Sequence, residues 1–422
     1  MLDKILNIFR NKKSIDYVIL GASAAGISAA KTLRELDKEG SIVIVSKDDK
    51  TYSRCMLHHV ISNHRTVEEI NFINEEFMKE NNIIWVKGTS VKSLDTNSKK
   101  VILENQVIEY NKLLIATGAS AFIPPIKNLR EVKNVYPLRN IEDVYNIKDK
   151  VKKINKVAII GAGLVGIDAL VGLLEYKNIE VSLVNTGQFI LNKQLDKYSA
   201  SIYENEFVKK GAKLYQGVSI KEIVIKDNND IVGILLEDGT LVECEMVVVA
   251  TGVRPNADFI KNTNISYDKG IVINDKCETT QNDVYAAGDV VGKNAIWPIA
   301  VKQGLVSAYN MYGKERLIDD SFAAKNSMNF MGIATVSLGM VEPIDESYKV
   351  AIRKDNNNYK KFIYKDNVIY GAIAQGDISY IGTITYLIKN KVEIENLENR
   401  IFDIGYADFL NLKESGEFCY NI

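Results

Sequence analysis

The sequence predicts an α/β fold: two Rossmann-like units, the first interrupted by the second, followed by a small α+β C-terminal domain. Three observations carry this reading. A strand–glycine turn–helix pattern occurs twice, as SIDYVILGASAAG from Ser14 and as KVAIIGAGLVG over 156–166. Each copy is followed about 20 residues later by a second apolar strand, SIVIVS (41–46) and VSLVN (181–185). Each is closed by a further element, LLIATGAS (113–120) and VVVATGVRPN (247–256).

The two copies run from Gly21 to Gly118 and from Gly161 to Gly252, spans of 97 and 91 positions. Similar spans of that size indicate duplication of whole domains. In such a unit the glycines allow a tight turn and close backbone approach, and the helix N-terminus faces a dinucleotide pyrophosphate. Ahead of the first strand, Leu2, Ile5, Leu6 and Phe9 fall at helical spacing and predict a short amphipathic helix. NDVYAAGDVVG (282–292) reads as a strand entering a Gly288–Asp289 turn, where a carboxylate can accept hydrogen bonds from a polyol or cap a helix. Beyond residue 320, DNNN (355–358) and KDN (365–367) read as turns between apolar, aromatic strands of an antiparallel sheet, and GTITYLIKNK as a helix.

Composition bounds the function classes. A length of 422 residues suits two or three domains. A net charge of -1 gives no electrostatic footprint for nucleic acid or an anionic membrane. Apolar runs such as Val247–Ala250 are strand-sized, so no membrane span is expected, and MLDKILNIFRNKK lacks the pattern of a secretory signal. Cys55, Cys244, Cys277 and Cys419 show no paired spacing, which fits a cytoplasmic location and argues against disulfides or a cysteine metal site.

GASAAG, LLIATGA, GAGLVG, VVVATGVRPN and VYAAGDV, in this order over roughly 14–310, resemble the flavin-dependent pyridine nucleotide–disulfide oxidoreductases. The resemblance implies FAD on the first unit, NADH or NADPH on the second, and Asp289 on the flavin ribityl chain or phosphate. It implies a discontinuous FAD domain (1–123 and 249–320), an NAD(P)H domain (124–248) and a C-terminal interface domain (321–422). On the FAD side the candidate contacts are Gly21, Ser23, Ala24 and Gly26 of the turn, Ser46, Arg54, Ala116, Thr117, Gly118, Gly288, Asp289 and Trp297. On the nicotinamide side they are Gly161, Gly163, Gly166, Asn185 and Gly252. NAIWPIAVKQG (294–304) looks like the family helix whose N-terminus favours negative charge on a reduced flavin.

The C-terminal part resembles the segment after the flavin module in NAD(P)H nitrite reductase large subunits, over NSMNFMGIATVSLG and YKKFIYKDNVIYGAIAQGDISYIGTITYLI. Its aromatic residues Tyr359, Phe362, Tyr364, Tyr370 and Tyr380 are expected to anchor a subunit or partner near the flavin, with internal packing as the other reading and a homodimer as one form of the interface. An acid normally ends the second strand to hold a ribose. Here Ser46 and Asn185 stand there, and Thr186, Gly187 and Gln188 offer no arginine for a 2′-phosphate, so the reading leans to NADH.

TYSRCMLHHVISNH (51–64) gathers Cys55 and all three histidines. YSR resembles the flavin-side helix entry of nitrite reductase and rubredoxin reductase modules. Cys55 stands as the redox cysteine does in coenzyme A disulfide reductase and NADH oxidase. If a helix starts near Arg54, its dipole, Arg54 and the nearby His58 and His59 favour a thiolate. A structural thiol is the other reading. The resemblance pairs His59 with Asp168 near the flavin. His58, His59 and His64 do not share a helix face, so no metal site is expected.

The expected activity is an NAD(P)H-dependent FAD oxidoreductase passing electrons to a small redox protein such as rubredoxin or an iron–sulfur partner. Reduction of a small disulfide or polysulfide by Cys55, or a flavin-binding scaffold without turnover, are the alternatives.

Overall fold

The computed structural model describes residues 14–318 and 325–420, apart from 75, 227, 294, 295, 356, 357 and 416. The N-terminal amphipathic segment falls outside them. The chain forms two compact units. The first comprises Met1–Ile123, Pro137–Lys148 and Thr251–Ser321; the second comprises Pro124–Tyr136, Asp149–Ala250 and Phe322–Ile422.

In the first unit, β1 (Ile15–Leu20) lies between β2 (Ile42–Val45) and β6 (Val107–Ile115), parallel to both, with β3 (Ile83–Val86) outside β2. Strands β4 (Val91–Asp95) and β5 (Lys100–Leu103) continue the sheet antiparallel beyond β6. The β1 and β2 sequences IDYVIL and IVIV are apolar almost throughout because both faces of a parallel sheet are covered. Helix α1 (Ala24–Leu36) packs against the long helix later in the chain, Trp297–Tyr312. Their approach explains the small residues: a Cβ at Gly304 would lie 2.2 Å from the Ala25 carbonyl oxygen. The segment after β2 forms a 3-10 turn, Arg54–Met56, then α2 (Leu57–Ile61), and α3 (Phe77–Glu80) leads into β3.

β7 (Ala119–Ala121) pairs antiparallel with Val253–Pro255, so the two closing ATG segments meet. The link is sealed by Thr117, whose hydroxyl donates to the Asn256 carbonyl at 2.7 Å while Asn256 Nδ2 donates back to the Thr117 carbonyl at 3.0 Å. Helix α4 (Ile141–Val151) begins in the first unit and ends in the second.

In the second unit the sheet runs β11-β10-β9-β15-β8, with β8 Val135–Pro137, β9 Lys156–Ile160, β10 Glu180–Asn185, β11 Lys213–Gln216 and β15 Met246–Val249. Helices α5 (Leu164–Leu173) and α6 (Lys197–Lys209) follow β9 and β10. A separate antiparallel meander holds β12 (Ile220–Ile225), β13 (Ile231–Leu236) and β14 (Leu241–Glu243). In the first unit β16 is Val253–Pro255, β17 (Val284–Ala286) pairs parallel with β6, and α7 is Trp297–Tyr312.

The C-terminal strands β18 (Lys325–Phe330), β19 (Ile333–Gly339), β20 (Lys349–Asp355), β21 (Asn358–Lys365) and β22 (Val368–Gln375) form one antiparallel sheet in the order 18-19-22-21-20. The turn at KDN is real: Asp366 and Asn367 have φ of 49° and 61°, the left-handed pair that a two-residue hairpin demands. Helix α8 (Ile381–Asn390) covers one face, its Ile384, Leu387 and Ile388 joining Phe362, Tyr364 and Ile369, and α9 (Leu397–Arg400) extends the cover. The other face meets α6: the Tyr203 ring lies 5.4 Å from Phe330, and its hydroxyl sits 2.7 Å from the Ile333 carbonyl and 2.6 Å from Thr335 Oγ1.

Two expectations are corrected here. Tyr359, Phe362 and Tyr364 are 1%, 5% and 7% exposed, so they serve internal packing on the two faces of this sheet; of the five aromatics proposed as anchors, Tyr380 is the exposed one. Residues 137–148, expected within the nicotinamide domain, belong to the first unit because Arg139 and Asn140 bond there. Among the described residues no helix is long and apolar enough to cross a membrane.

Candidate dinucleotide sites

In the first unit β1 ends at Leu20 and the chain turns at Gly21, whose φ is 121°. A Cβ there would sit 2.1 Å from the Ala116 carbonyl oxygen, and one at Gly26 would sit 1.9 Å from the Gly21 carbonyl oxygen. Only glycine lets strand, turn and helix approach this closely. Ser23 is the N-cap of α1 without a side-chain cap bond, and Ala24 opens the helix. The first backbone N–H groups of α1 are therefore donors for an anion.

Arg54 is the hub beside this turn. Its guanidinium lies 2.6 Å from Asp48 Oδ2 and 3.4 Å from both Ser23 Oγ and Asn140 Oδ1, over the Tyr52 ring at 4.9 Å. Ser46 is spent inside the loop: its hydroxyl donates to the Asp48 carbonyl at 2.6 Å and accepts from Trp85 Nε1 at 2.8 Å. Asp48 is thus the acid presented after β2.

Arg139, Asn140 and Asp143 were not foreseen. Asp143 accepts from the backbone N–H of Arg139 at 3.0 Å and of Asn140 at 2.8 Å, fixing the entry to α4. Arg139 then reaches Asp289 Oδ2 at 2.6 Å and the Ala119 carbonyl at 3.0 Å. The signal was present in LRNIEDV, an Asn-x-x-Asp capping pattern ahead of a periodic helix. Gln303 was also missed: its side-chain oxygen accepts from the Gly288 N–H at 2.7 Å and holds the Gly288–Asp289 turn. Gly288 needs its φ of 79° to make that turn.

These residues fit FAD. A Cβ on Gly118 would meet its nearest neighbour, Arg139 Nη2, at 4.0 Å, so backbone there can be approached closely. Half-buried Arg54 and Arg139 suit a pyrophosphate or a flavin carbonyl edge. Arg139 takes one oxygen of Asp289, and the second can accept from a polyol. Trp297, half-buried at the start of α7, stands edge-on to Phe72 at 4.9 Å.

The helix expected at Arg54 is a three-residue 3-10 turn followed by the five-residue α2, too short for a strong dipole. Cys55 is exposed on that turn. The cations expected beside it are otherwise engaged. Arg54 is committed to Asp48, and burial together with the neighbouring His59 drives His58 down to about 4, although its hydrogen bond to the Cys55 backbone opposes this. His58 is therefore neutral near pH 7. His59 is lowered too, by burial first and then by Arg65 and His64. The His58 and His59 rings lie 4.0 Å apart, yet among the described residues no group of three His, Cys, Asp or Glu side chains could hold a metal ion.

This depressed histidine has a measurable consequence. Unfolded His58 takes up a proton near 6.5, the folded one only near 4, so unfolding binds a proton between those values. Stability present above pH 6.5 is then lost as pH falls toward 4. Thermal melting of wild type against His58→Gln should show a smaller loss over that window in the variant; equal slopes would refute the assignment.

In the second unit Gly161 has a φ of 103°, and a Cβ on Gly166 would fall 1.9 Å from the Gly161 carbonyl oxygen. Gly163 differs: it is the N-cap of α5, with extended backbone, and a Cβ there meets nothing within 4 Å. Gly252, which returns to the first unit, has equally open space. The cradle at Gly163 fits a nicotinamide dinucleotide. Asn185 closes β10, its Nδ2 donating to the Gly187 and Phe189 carbonyls at 3.1 and 3.2 Å, so its Oδ1 is the acceptor there. Asp168, on α5, has its carboxyl pushed up to about 7 by burial. His59 and Asp168 belong to different units.

Comparison with known proteins agrees with this geometry. Residues 15–304 match the pyridine nucleotide-disulphide oxidoreductase family, and residues 325–392 match the rubredoxin NAD+ reductase C-terminal domain. The chain is 29% identical over 393 residues to an NADH-rubredoxin oxidoreductase of Clostridium acetobutylicum, covering 92% of this chain and 98% of the relative. A crystal structure of NADH:rubredoxin oxidoreductase from that organism superposes with a TM-score of 0.76 at 29% identity, over 91% of this chain and 97% of that one. It is also 28% identical over 386 residues to the nitrite reductase [NAD(P)H] of Bacillus subtilis, covering 89% of this chain but 47% of the relative, so the chain spans about half of that protein. With two glycine cradles of the right shape and a family match across both, the chain belongs to the pyridine nucleotide-disulphide oxidoreductases and is an FAD- and NAD(P)H-dependent oxidoreductase.

Proposed function

We propose that the chain takes electrons from NADH and delivers them to a small redox protein of the rubredoxin class. The observation that carries this is the C-terminal sheet itself, whose residues 325–392 match the domain of rubredoxin NAD+ reductases. The near full-length relationship to an NADH-rubredoxin oxidoreductase supports it. In this reading 1–123, 137–148 and 251–320 hold FAD, 149–250 take the nicotinamide nucleotide, and 321–422 serve the partner side.

Bound FAD and NADH supply two-electron hydride chemistry and stepwise release of electrons. The chain's residues do the rest. Gly21, Gly26 and the α1 N-terminus receive the flavin pyrophosphate, while Arg54, Arg139 and Asp289 orient the cofactor. Gly163 and the α5 N-terminus receive the nicotinamide pyrophosphate. Asn185 accepts from an adenosine ribose hydroxyl and offers no cation to a 2′-phosphate, favouring NADH. Asp168, with a carboxyl near 7, can hold or release a proton at neutral pH.

The test is anaerobic reduction by NADH or NADPH, followed by mixing with rubredoxin, ferredoxin, coenzyme A disulfide or polysulfide. Faster bleaching with NADH and fast reoxidation by rubredoxin are expected. Cys55→Ser should leave those rates unchanged and remove no long-wavelength charge-transfer band, because Arg54 is paired with Asp48 and His58 is neutral near pH 7. A rubredoxin rate near background, with disulfide reduction abolished by Cys55→Ser, would establish the disulfide reading instead.

A further inference from the structure

The glycine turn of the second unit is braced from the C-terminal sheet. The Ala162 carbonyl, between Gly161 and Gly163, accepts the Leu191 N–H at 2.8 Å. Leu191 is 1% exposed and has a φ of 53°, a left-handed conformation that a leucine keeps only when its surroundings hold it. Its own carbonyl accepts from Gln194 and Leu195, closing a turn that delivers Asp196 to the start of α6.

Asp196 is where the C-terminal sheet takes hold. Its carboxylate accepts from the Ser199 N–H at 2.9 Å, the Ser199 hydroxyl at 2.7 Å, the Tyr359 hydroxyl at 2.5 Å and the Lys361 ammonium at 3.2 Å. Tyr359 is 1% exposed and Lys361 4%. Lys361 has a second carboxylate, Glu342, at 2.9 Å, and Gln375 Nε2 donates to the Ser199 carbonyl at 3.2 Å. Burial raises Asp196, but the Tyr359 and Ser199 hydrogen bonds and Lys361 outweigh it and keep the carboxyl below its ordinary value. An apolar trio would fill this space at lower desolvation cost; a satisfied polar network adds a single fixed geometry.

We propose that Tyr359 and Lys361 are positioning residues for the nicotinamide nucleotide, holding the Gly161–Gly163 turn in its accepting shape through Asp196 and Leu191. This rests on the reading that the second glycine turn takes that nucleotide. It gives the C-terminal sheet a role in nucleotide affinity that its strands, carrying no glycine motif, do not announce.

The test is calorimetric titration of the FAD-loaded full chain with NAD+, beside stopped-flow flavin reduction by NADH and thermal melting. Tyr359→Phe and Lys361→Met should each weaken NAD+ about tenfold, the size of one lost charge-assisted hydrogen bond, with the limiting reduction rate at saturating NADH unchanged. Lys361→Arg should recover most of the affinity. Phe362→Leu, which loosens the opposite face of the same sheet against Phe402, should lower the melting temperature without weakening NAD+. Wild-type affinity in both Tyr359→Phe and Lys361→Met, or equal weakening by Phe362→Leu, would overturn the proposal alone. A wild-type chain that binds no NAD+ would overturn both this inference and the reading beneath it.

Discussion

Gly163→Val should cripple NADH binding while sparing the fold. The position has extended backbone, and a Cβ there meets nothing within 4 Å, so the valine clashes with no protein atom. Its cost to the folded chain is the weaker helix cap, on the order of 1 kcal/mol or less. The open space it fills is where the family's pyrophosphate approaches the backbone and the α5 N–H groups. Loss of that approach should weaken NADH on the order of a hundredfold, roughly 2.7 kcal/mol. Chemical reduction of the flavin by dithionite should stay normal. Gly166→Ala is the contrasting variant: its Cβ would fall 1.9 Å from the Gly161 carbonyl oxygen, so it should lower the melting temperature outright. Unchanged NADH binding in Gly163→Val would place the nucleotide elsewhere.

The second large effect falls on the flavin. Asp289→Leu removes a carboxylate that can accept from a buried polyol and strips Arg139 of its partner at 2.6 Å. Both are half-buried, so the guanidinium left behind is incompletely solvated. We expect FAD affinity to fall by about 1–3 kcal/mol, roughly five- to 150-fold, measured by titrating apoprotein with FAD. Asp289→Asn keeps an acceptor oxygen and should lie between. Wild-type FAD affinity in Asp289→Leu would remove this residue from the site.

The legibility of this fold in its sequence was uneven for physical reasons. Gly21, Gly26, Gly161 and Gly166 were readable because backbone crowding of this kind admits one residue type, and the constraint is local. The order of motifs supplied the rest of the two units. Arg139 was not readable as a site residue, since its partner Asp289 lies 150 positions away and only folding brings them together. In YKKFIYK the lysine at 361 gives no local sign of burial, yet Tyr359, Lys361 and Ile363 are as buried as Phe362, because α6 covers their side of the sheet. His58 looked like a ready cation beside Cys55; burial, which spacing cannot reveal, makes it neutral.

Strand β17 pairs with β6 through Val284 and Leu113, leaving about 170 residues of chain between two neighbours in one sheet. At roughly 5–20 residues per second, synthesis alone separates them by on the order of ten to thirty seconds. During that interval the β6 edge that will receive β17 has its backbone groups unmatched, a template for pairing with other nascent chains. The nicotinamide segment meanwhile has all the strands of its own parallel sheet. Biogenesis should therefore run inside out, with the inserted segment settling first and the flavin sheet sealing last. Slow refolding, aggregation that rises with chain concentration, and help from a holding chaperone or from early FAD all follow from where one three-residue strand is encoded.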